Sequence, residues 1–187
     1  MSNIYLCSDL HIGHKNINKF RCEDKGFFRG FASEQEHREW LYSNLSNLTK
    51  RDILICLGDI AFDREALLDF HENVHCIKWL VIGNHDLTLT KQTKDDYFKV
   101  FDRIEGFMKY KGYWFSHAPI HPNELRGRPN IYGHVHYATL GDKSNYFNVC
   151  PENLMRLSKK PYISLNEVKE ILKLNREQER YNYERLK

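Results

Sequence analysis

Carboxylate, imidazole and amide side chains recur together in five short blocks of this chain. In order they are Asp9-Leu10-His11, Gly58-Asp59, Gly83-Asn84-His85-Asp86, Ser116-His117 and Gly133-His134-Val135-His136. Mixed imidazole and oxygen donors suit Mn, Fe, Zn, Co or Ni better than Mg or Ca. The chemistry such residues support is that of divalent transition metals, which polarise an oxyanion and activate water. Taken together, the five blocks supply enough ligands for two ions.

Ligands from five places in a chain need elements that bring them to one spot. Four blocks directly follow apolar, β-favouring runs: Ile4-Tyr5-Leu6-Cys7, residues 53–57, residues 77–82 and Tyr113-Trp114-Phe115. The fifth follows a shorter Asn130-Ile131-Tyr132. Apolar runs of this length, bounded by Gly and polar residues, read as buried strands. A strand whose carboxyl end offers Asp, His or Asn puts that side chain at the rim of the sheet, where open α/β folds hold ligands.

Each block alone has a plainer reading. Asp-x-His is common in loops, Gly-Asp is a routine turn, Asn84 suits a left-handed turn, and a single His117 suits a structural role. Gly-His-x-His says more, because alternate residues of an extended strand point the same way. Five blocks in succession, each at a strand end, indicate a site.

The blocks resemble, in order, the motifs of the calcineurin-like metallophosphoesterase superfamily: D-x-H, G-D, G-N-H-[D/E], an isolated His and G-H-x-H. The match runs from Asp9 to His136. The resemblance implies one metal on Asp9, His11, Asp59 and His136, and a second on Asp59, Asn84, His117 and His134, with Asp59 bridging. Manganese is the first choice, with Fe, Zn, Ni or Co as alternatives. Two ions roughly 3.5–4 Å apart can each bind a phosphate oxygen and hold a bridging hydroxide in line with phosphorus. In the family, the His placed as His85 is here faces the leaving group, and an imidazole suits proton donation to an alkoxide. Asp86 is expected to orient His85 through a hydrogen bond.

The second motif departs from the family's G-D-x-x-D-R-G. It reads Gly58-Asp59-Ile60-Ala61-Phe62-Asp63-Arg64 and lacks the following Gly. Asp63 is therefore expected to cap a helix from Arg64, with both residues outside the site. The first block extends through His14 and Asn16, similar to small bacterial and phage metallophosphoesterases with S-D-x-H-x-G-H-x-N. His14 and Asn16 are candidates for substrate contact. The segment 118–129, with three prolines, reads as an ordered loop. It links two ligand blocks, so His121, Arg126 and Arg128 are further candidates, with phosphate pairing as the role of the arginines.

The remaining residues read as scaffold. Ser33 to Glu36 and Ser164 to Glu167 resemble capping boxes, a short helix is expected between Asp95 and Asp102, and a terminal helix from about 165 gives way to a polar tail. The fold expected is α/β, a four-layer αββα sandwich of two mixed sheets flanked by helices, with a largely antiparallel second sheet. The 187 residues suit one domain. No run of near 18 apolar residues is present, so no membrane span or membrane partner is expected. The five cysteines lack C-x-x-C spacing, as in a reduced, cytoplasmic protein. Net charge is +3, and eight Lys and Arg against five Glu from Lys159 onward account for all of it. Without a broad basic face, long nucleic acid is not the favoured partner. The reading is a dinuclear, metal-dependent phosphoesterase acting on a small nucleotide-type phosphodiester. A phosphomonoesterase, a structure-dependent nuclease and a noncatalytic scaffold are the alternatives.

Overall fold

The computed structural model describes residues 2–22, 26–27, 29–87 and 93–185. Its strands and helices in chain order are β1 (Ile4–Cys7), β2 (Arg21–Cys22), β3 (Gly26–Phe27), α1 (Glu34–Leu45), β4 (Ile53–Cys56), α2 (Arg64–Asn73), β5 (Ile77–Val81), α3 (Lys94–Val100), β6 (Arg103–Glu105), β7 (Met108–Tyr110), β8 (Tyr113–Phe115), β9 (Asn130–Tyr132), β10 (Tyr146–Asn148), α4 (Pro151–Leu157), β11 (Ile163–Ser164) and α5 (Leu165–Arg185). One sheet has the order β11-β1-β4-β5-β6 and the other β10-β9-β8-β7, with β2 and β3 forming a separate ladder.

In the first sheet β1, β4, β5 and β6 are parallel, in registers that align Cys7 with Cys56 and Cys56 with Leu80. Parallel neighbours need long crossovers, and α1, α2 and α3 supply them. Ser33 starts α1 by accepting the Glu36 amide, and Asp63 starts α2 by accepting the Ala66 amide at 2.8 Å. The Asp63 cap leaves this residue outside the site, as expected from its sequence. Leu41, Leu45, Leu67, Phe70 and Tyr97 from these helices meet Leu54, Cys56 and Leu80 of the sheet. Each such side chain contributes about 1.5–3 kcal/mol by leaving water.

A second core fills the space between the two sheets, where Leu6, Ile55, Leu57 and Val81 face Met108, Phe115, Ile131 and Phe147. Packing on both faces of β4 explains its unbroken apolar sequence. Leu165, Val168 and Leu172 of α5 close one edge of this core. The fold is α/β with two mixed sheets and flanking helices, as expected.

Two expectations are corrected. Only β7 and β8 are antiparallel in the second sheet, while β8, β9 and β10 run parallel. Segment 118–129 is long enough to return the chain for a parallel pairing, and that pairing puts the carboxyl ends of β8 and β9 side by side. The polar tail is also helical, since α5 continues to Arg185. Asn175 donates to the Lys143 carbonyl at 2.8 Å and Arg176 to the Ser144 carbonyl at 3.1 Å, which anchors a stretch poor in apolar residues.

Candidate metal centre

The carboxyl ends of β1, β4, β5, β8 and β9 converge, and the loops leaving them are locked together through backbone hydrogen bonds. The Asp9 amide donates to the Gly58 carbonyl at 2.9 Å, His11 to Asp59 at 3.1 Å and Gly133 to His117 at 2.7 Å. Asp9, His11, Asp59, His134 and His136 all have φ between 49° and 68°. That left-handed region is unusual for residues other than glycine, though Asp and His tolerate it best. Strained conformations of this kind cost about 1–3 kcal/mol each and cluster where function demands them.

Three glycines permit the approach. A Cβ on Gly58 would come within 2.6 Å of the Gly83 backbone and of His117 Nδ1. One on Gly83 would overlap the Asp59 carboxylate, and one on Gly133 would overlap Ser8 Oγ and Asp9 Oδ2. The glycine in each of G-D, G-N-H and G-H is therefore a contact requirement rather than turn chemistry alone.

The side chains gather into two adjacent groups, Asp9 with His11 and His136, and Asp59 with His117 and His134. In the first, Asp9 Oδ2 accepts from Ser8 Oγ, from the His134 amide at 2.8 Å and from Cys150 Sγ at 3.3 Å. Its other oxygen, Oδ1, lies 3.5 Å from His11 Nε2. Both atoms are buried without a hydrogen-bond partner. Buried polar groups are rarely left in that state, and two facing donors of this type fit a divalent ion. In the second group, His117 Nε2 lies 3.4 Å from Asp59 Oδ2, 2.8 Å from Asn84 Oδ1 and 3.1 Å from His134 Nδ1. The His117 Nδ1 meets the Leu57 carbonyl at 2.7 Å. Asp59 Oδ1 accepts the His85 amide at 2.8 Å, so Oδ2 is the oxygen turned towards the histidines.

His85 is half-buried beside this pair, with Nε2 at 4.0 Å from Asp59 Oδ2. Phe62 packs against His85, His11 and His14, with ring centres 4.9, 4.8 and 4.0 Å away. His14 thus reaches the edge of the centre. Asn16 is exposed and opens the short helical turn Ile17–Lys19.

Several expectations do not hold. Asp86 does not support His85. Its Oδ2 accepts the Asp59 and Gly83 amides at 2.9 and 2.8 Å, and its Oδ1 accepts from Tyr97 at 3.2 Å. Buried beneath the loops, it fixes their backbones. Nor do Arg126 and Arg128 approach the ligands. They line a cleft on the other face of the second sheet with Phe107, Lys109 and Trp114, because Leu125 packs with Tyr132 and Tyr146 there. His121 uses Nδ1 to accept the Asn123 amide at 3.3 Å. His134 and His136 do not alternate along a strand, since β9 ends at Tyr132, and the left-handed turn after it sends them to different groups.

The electrostatics favour ligands. Burial opposes ionisation of Asp9, but contact with His11 and the charges of His117 and His136 hold its carboxyl well below the usual range. Burial, aided by Arg29, lowers His11, which keeps this imidazole neutral and able to bind metal. Burial would lower His117 too, yet the Asp59 and Asp9 carboxylates raise it to about 9. At pH 7 the metal-free protein therefore holds a proton on His117, and a metal taken up there would have to expel it. Calorimetric titration of Mn²⁺ is expected to show a heat that depends on buffer ionisation, with affinity rising from pH 6 towards 9. A buffer-independent heat and a flat pH profile would contradict this assignment.

Arg29, Glu152, Phe62, Ser8 and Cys150 were not legible as site residues. Glu152 does follow the end of a strand, β10, as the ligand blocks do, but the segment around Arg29 has no pattern to mark it.

The calcineurin-like phosphoesterase family matches residues 2–183. An uncharacterized protein of Methanocaldococcus jannaschii is 28% identical over 141 residues, covering 70% of this chain and 76% of that protein. The crystal structure of a protein of unknown function from Aquifex aeolicus superimposes with a TM-score of 0.64 at 26% identity, covering 91% of this chain and all of that one. The Pseudomonas putida nuclease MPE aligns more loosely, with a TM-score of 0.46 and 22% identity over 71% of this chain and 61% of that one, too distant to lend its activity. With the family matched from residue 2 to residue 183, this chain belongs to the calcineurin-like phosphoesterases, hydrolases that use divalent metal ions.

Proposed function

We propose that this protein hydrolyses a small nucleotide-type phosphodiester, using two divalent transition-metal ions, manganese foremost. Asp9, His11, Asp59 and His136 would hold one, and Asp59, Asn84, His117 and His134 the other, with Asp59 shared between them. The observation that carries this reading is the facing pair Asp9 Oδ1 and His11 Nε2, buried and unpartnered at 3.5 Å beside a second ligand group. When bound, the ions neutralise phosphate oxygens and make water acidic enough to attack near neutral pH.

The chain's own residues do the rest. His85 is the general acid. As the water oxygen bonds to phosphorus and releases a proton to solvent, the ester P–O bond breaks and the departing oxygen takes the His85 proton, which solvent then replaces. The hydrogen bond its backbone amide donates to Asp59 Oδ1 and its ring packing on Phe62 position it for that delivery. Asp86 contributes by holding the Asp59 and Gly83 backbones.

Preference for a diester is supported by where the cations lie. A monoester dianion calls for cationic clamps beyond the metals. Arg64 is paired with Asp96 at 3.0 Å, Lys15 lines a separate cavity with Asn18 and Glu34, and Arg126 and Arg128 lie across the second sheet. Phosphomonoesters, linear diesters, cyclic nucleotides and DNA should be screened against the Mn-loaded protein. We expect the highest kcat/KM on a small diester, and Arg126→Ala and Arg128→Ala should leave it within about twofold, as surface changes usually do. A monoester favoured tenfold or more, or DNA cleaved faster than any small ester, would replace this reading.

A further inference from the structure

Behind the first ligand group lies a buried charged network that catalysis as described leaves unused. Arg29 and Glu152 are 123 residues apart in sequence, and their side chains are 0% and 1% exposed. Arg29 Nε donates to Glu152 Oε1 at 3.0 Å. The same oxygen lies 3.2 Å from His136 Nδ1. The guanidinium also donates to the Leu10 carbonyl at 2.6 Å and to the Asp9 carbonyl, and it lies 2.9 Å from His37 Nε2. One ion pair therefore touches two of the three first-group ligands from behind, Asp9 at its backbone and His136 at its ring.

A buried ion pair is weak evidence for stability in itself, because desolvation offsets its attraction. This pair is also not arranged as a simple brace. Glu152 Oε2 has no hydrogen-bond partner, while Oε1 is shared between Arg29 and His136. A Glu152 carboxylate at 3.2 Å from Nδ1 favours the tautomer with its proton on Nδ1 and its lone pair on Nε2, the form in which an outer carboxylate commonly holds a metal-binding imidazole. The second group is built differently. There His117 Nδ1 meets a neutral carbonyl, Leu57 O, at 2.7 Å. The two groups thus differ in the charge of the group behind the imidazole.

We propose that Arg29 and Glu152 are a positioning pair that sets the metal affinity of the Asp9–His11–His136 group and not that of the Asp59–His117–His134 group. Glu152 fixes the His136 tautomer and strengthens its donor nitrogen. Arg29 neutralises Glu152 and holds the left-handed Asp9 backbone, where φ is 49°. The proposal rests on the two-metal reading above, and the test separates the two.

Metal-free full-length protein should be titrated with Co²⁺, read by calorimetry and by visible absorption. The unsubstituted chain is expected to take two ions. Glu152→Gln keeps an acceptor for His136 but removes the charge, and Glu152→Asp keeps the charge but withdraws the oxygen. Both should weaken one site roughly 10–100-fold, the usual range for outer-shell changes. In a His117→Ala background, which disables the second group, Glu152→Gln should weaken the remaining site by the same factor. In a His11→Ala background it should leave the remaining site unchanged, which a merely structural residue would not do. Equal losses in both backgrounds, no loss in either, or failure of both Glu152 variants to fold would overturn the positioning role. Fewer than two ions on the unsubstituted chain would overturn the two-metal reading and this proposal with it.

Discussion

His85→Asn is expected to keep both metal ions and lose roughly 10²–10⁴ in rate on alkyl phosphodiesters, the range for removal of a general acid. His85 belongs to neither three-residue ligand group, and its structural bond to Asp59 comes from its backbone amide, which Asn retains. The defect should shrink on a nitrophenyl ester, whose leaving group needs little protonation. Metal content by atomic spectroscopy and kcat on the two ester types decide the matter. A variant that loses metal, or is equally slow on both, would remove His85 from the acid role.

Gly133→Ala is expected to be nearly as damaging, although it adds only one methyl group. That methyl would overlap Ser8 Oγ and Asp9 Oδ2, and overpacking of this kind costs about 1–3 kcal/mol. Either Asp9 or the His134 turn must yield, and with it the set of donors that leaves Asp9 Oδ1 facing His11. Misplacement by about 1 Å can cost about 10²-fold in rate, and we expect at least that loss in kcat/KM together with weaker binding of one ion. Gly141→Ala is the control, since a Cβ there meets nothing within 4 Å. A Gly133→Ala protein with unchanged activity and metal content would show that the close approach is dispensable.

The strands and ligand blocks were readable because burial on both faces keeps β1 and β4 apolar throughout, and β5 apolar apart from Lys78. Loops that leave such strands with Asp, His and Asn then declare themselves by contrast. The helix starts were equally local, with Asp63 and Ser164 capping through their own sequence neighbours. What failed depended on distant partners. Asp86 sits next to His85 in the chain, yet its carboxylate is satisfied by amides 27 and 3 residues away and by Tyr97. Arg126 and Arg128 follow a ligand block, but the anchoring of Leu125 turns their loop over the far face. Arg29 acquires meaning only through Glu152, and no periodicity links them. The parallel pairing of β8 and β9 was hidden because strand direction follows from the path of the intervening segment, not from the strand residues themselves.

Counting bound metal against activity tests the account most directly. Purified protein, stripped with a chelator and then reloaded with Mn²⁺, is expected to bind two ions per chain and to recover diester hydrolysis as they bind. Asp59→Asn should fail on both measures because it weakens the shared ligand. Full activity in the stripped protein, or full activity with one ion bound, would contradict the two-metal centre.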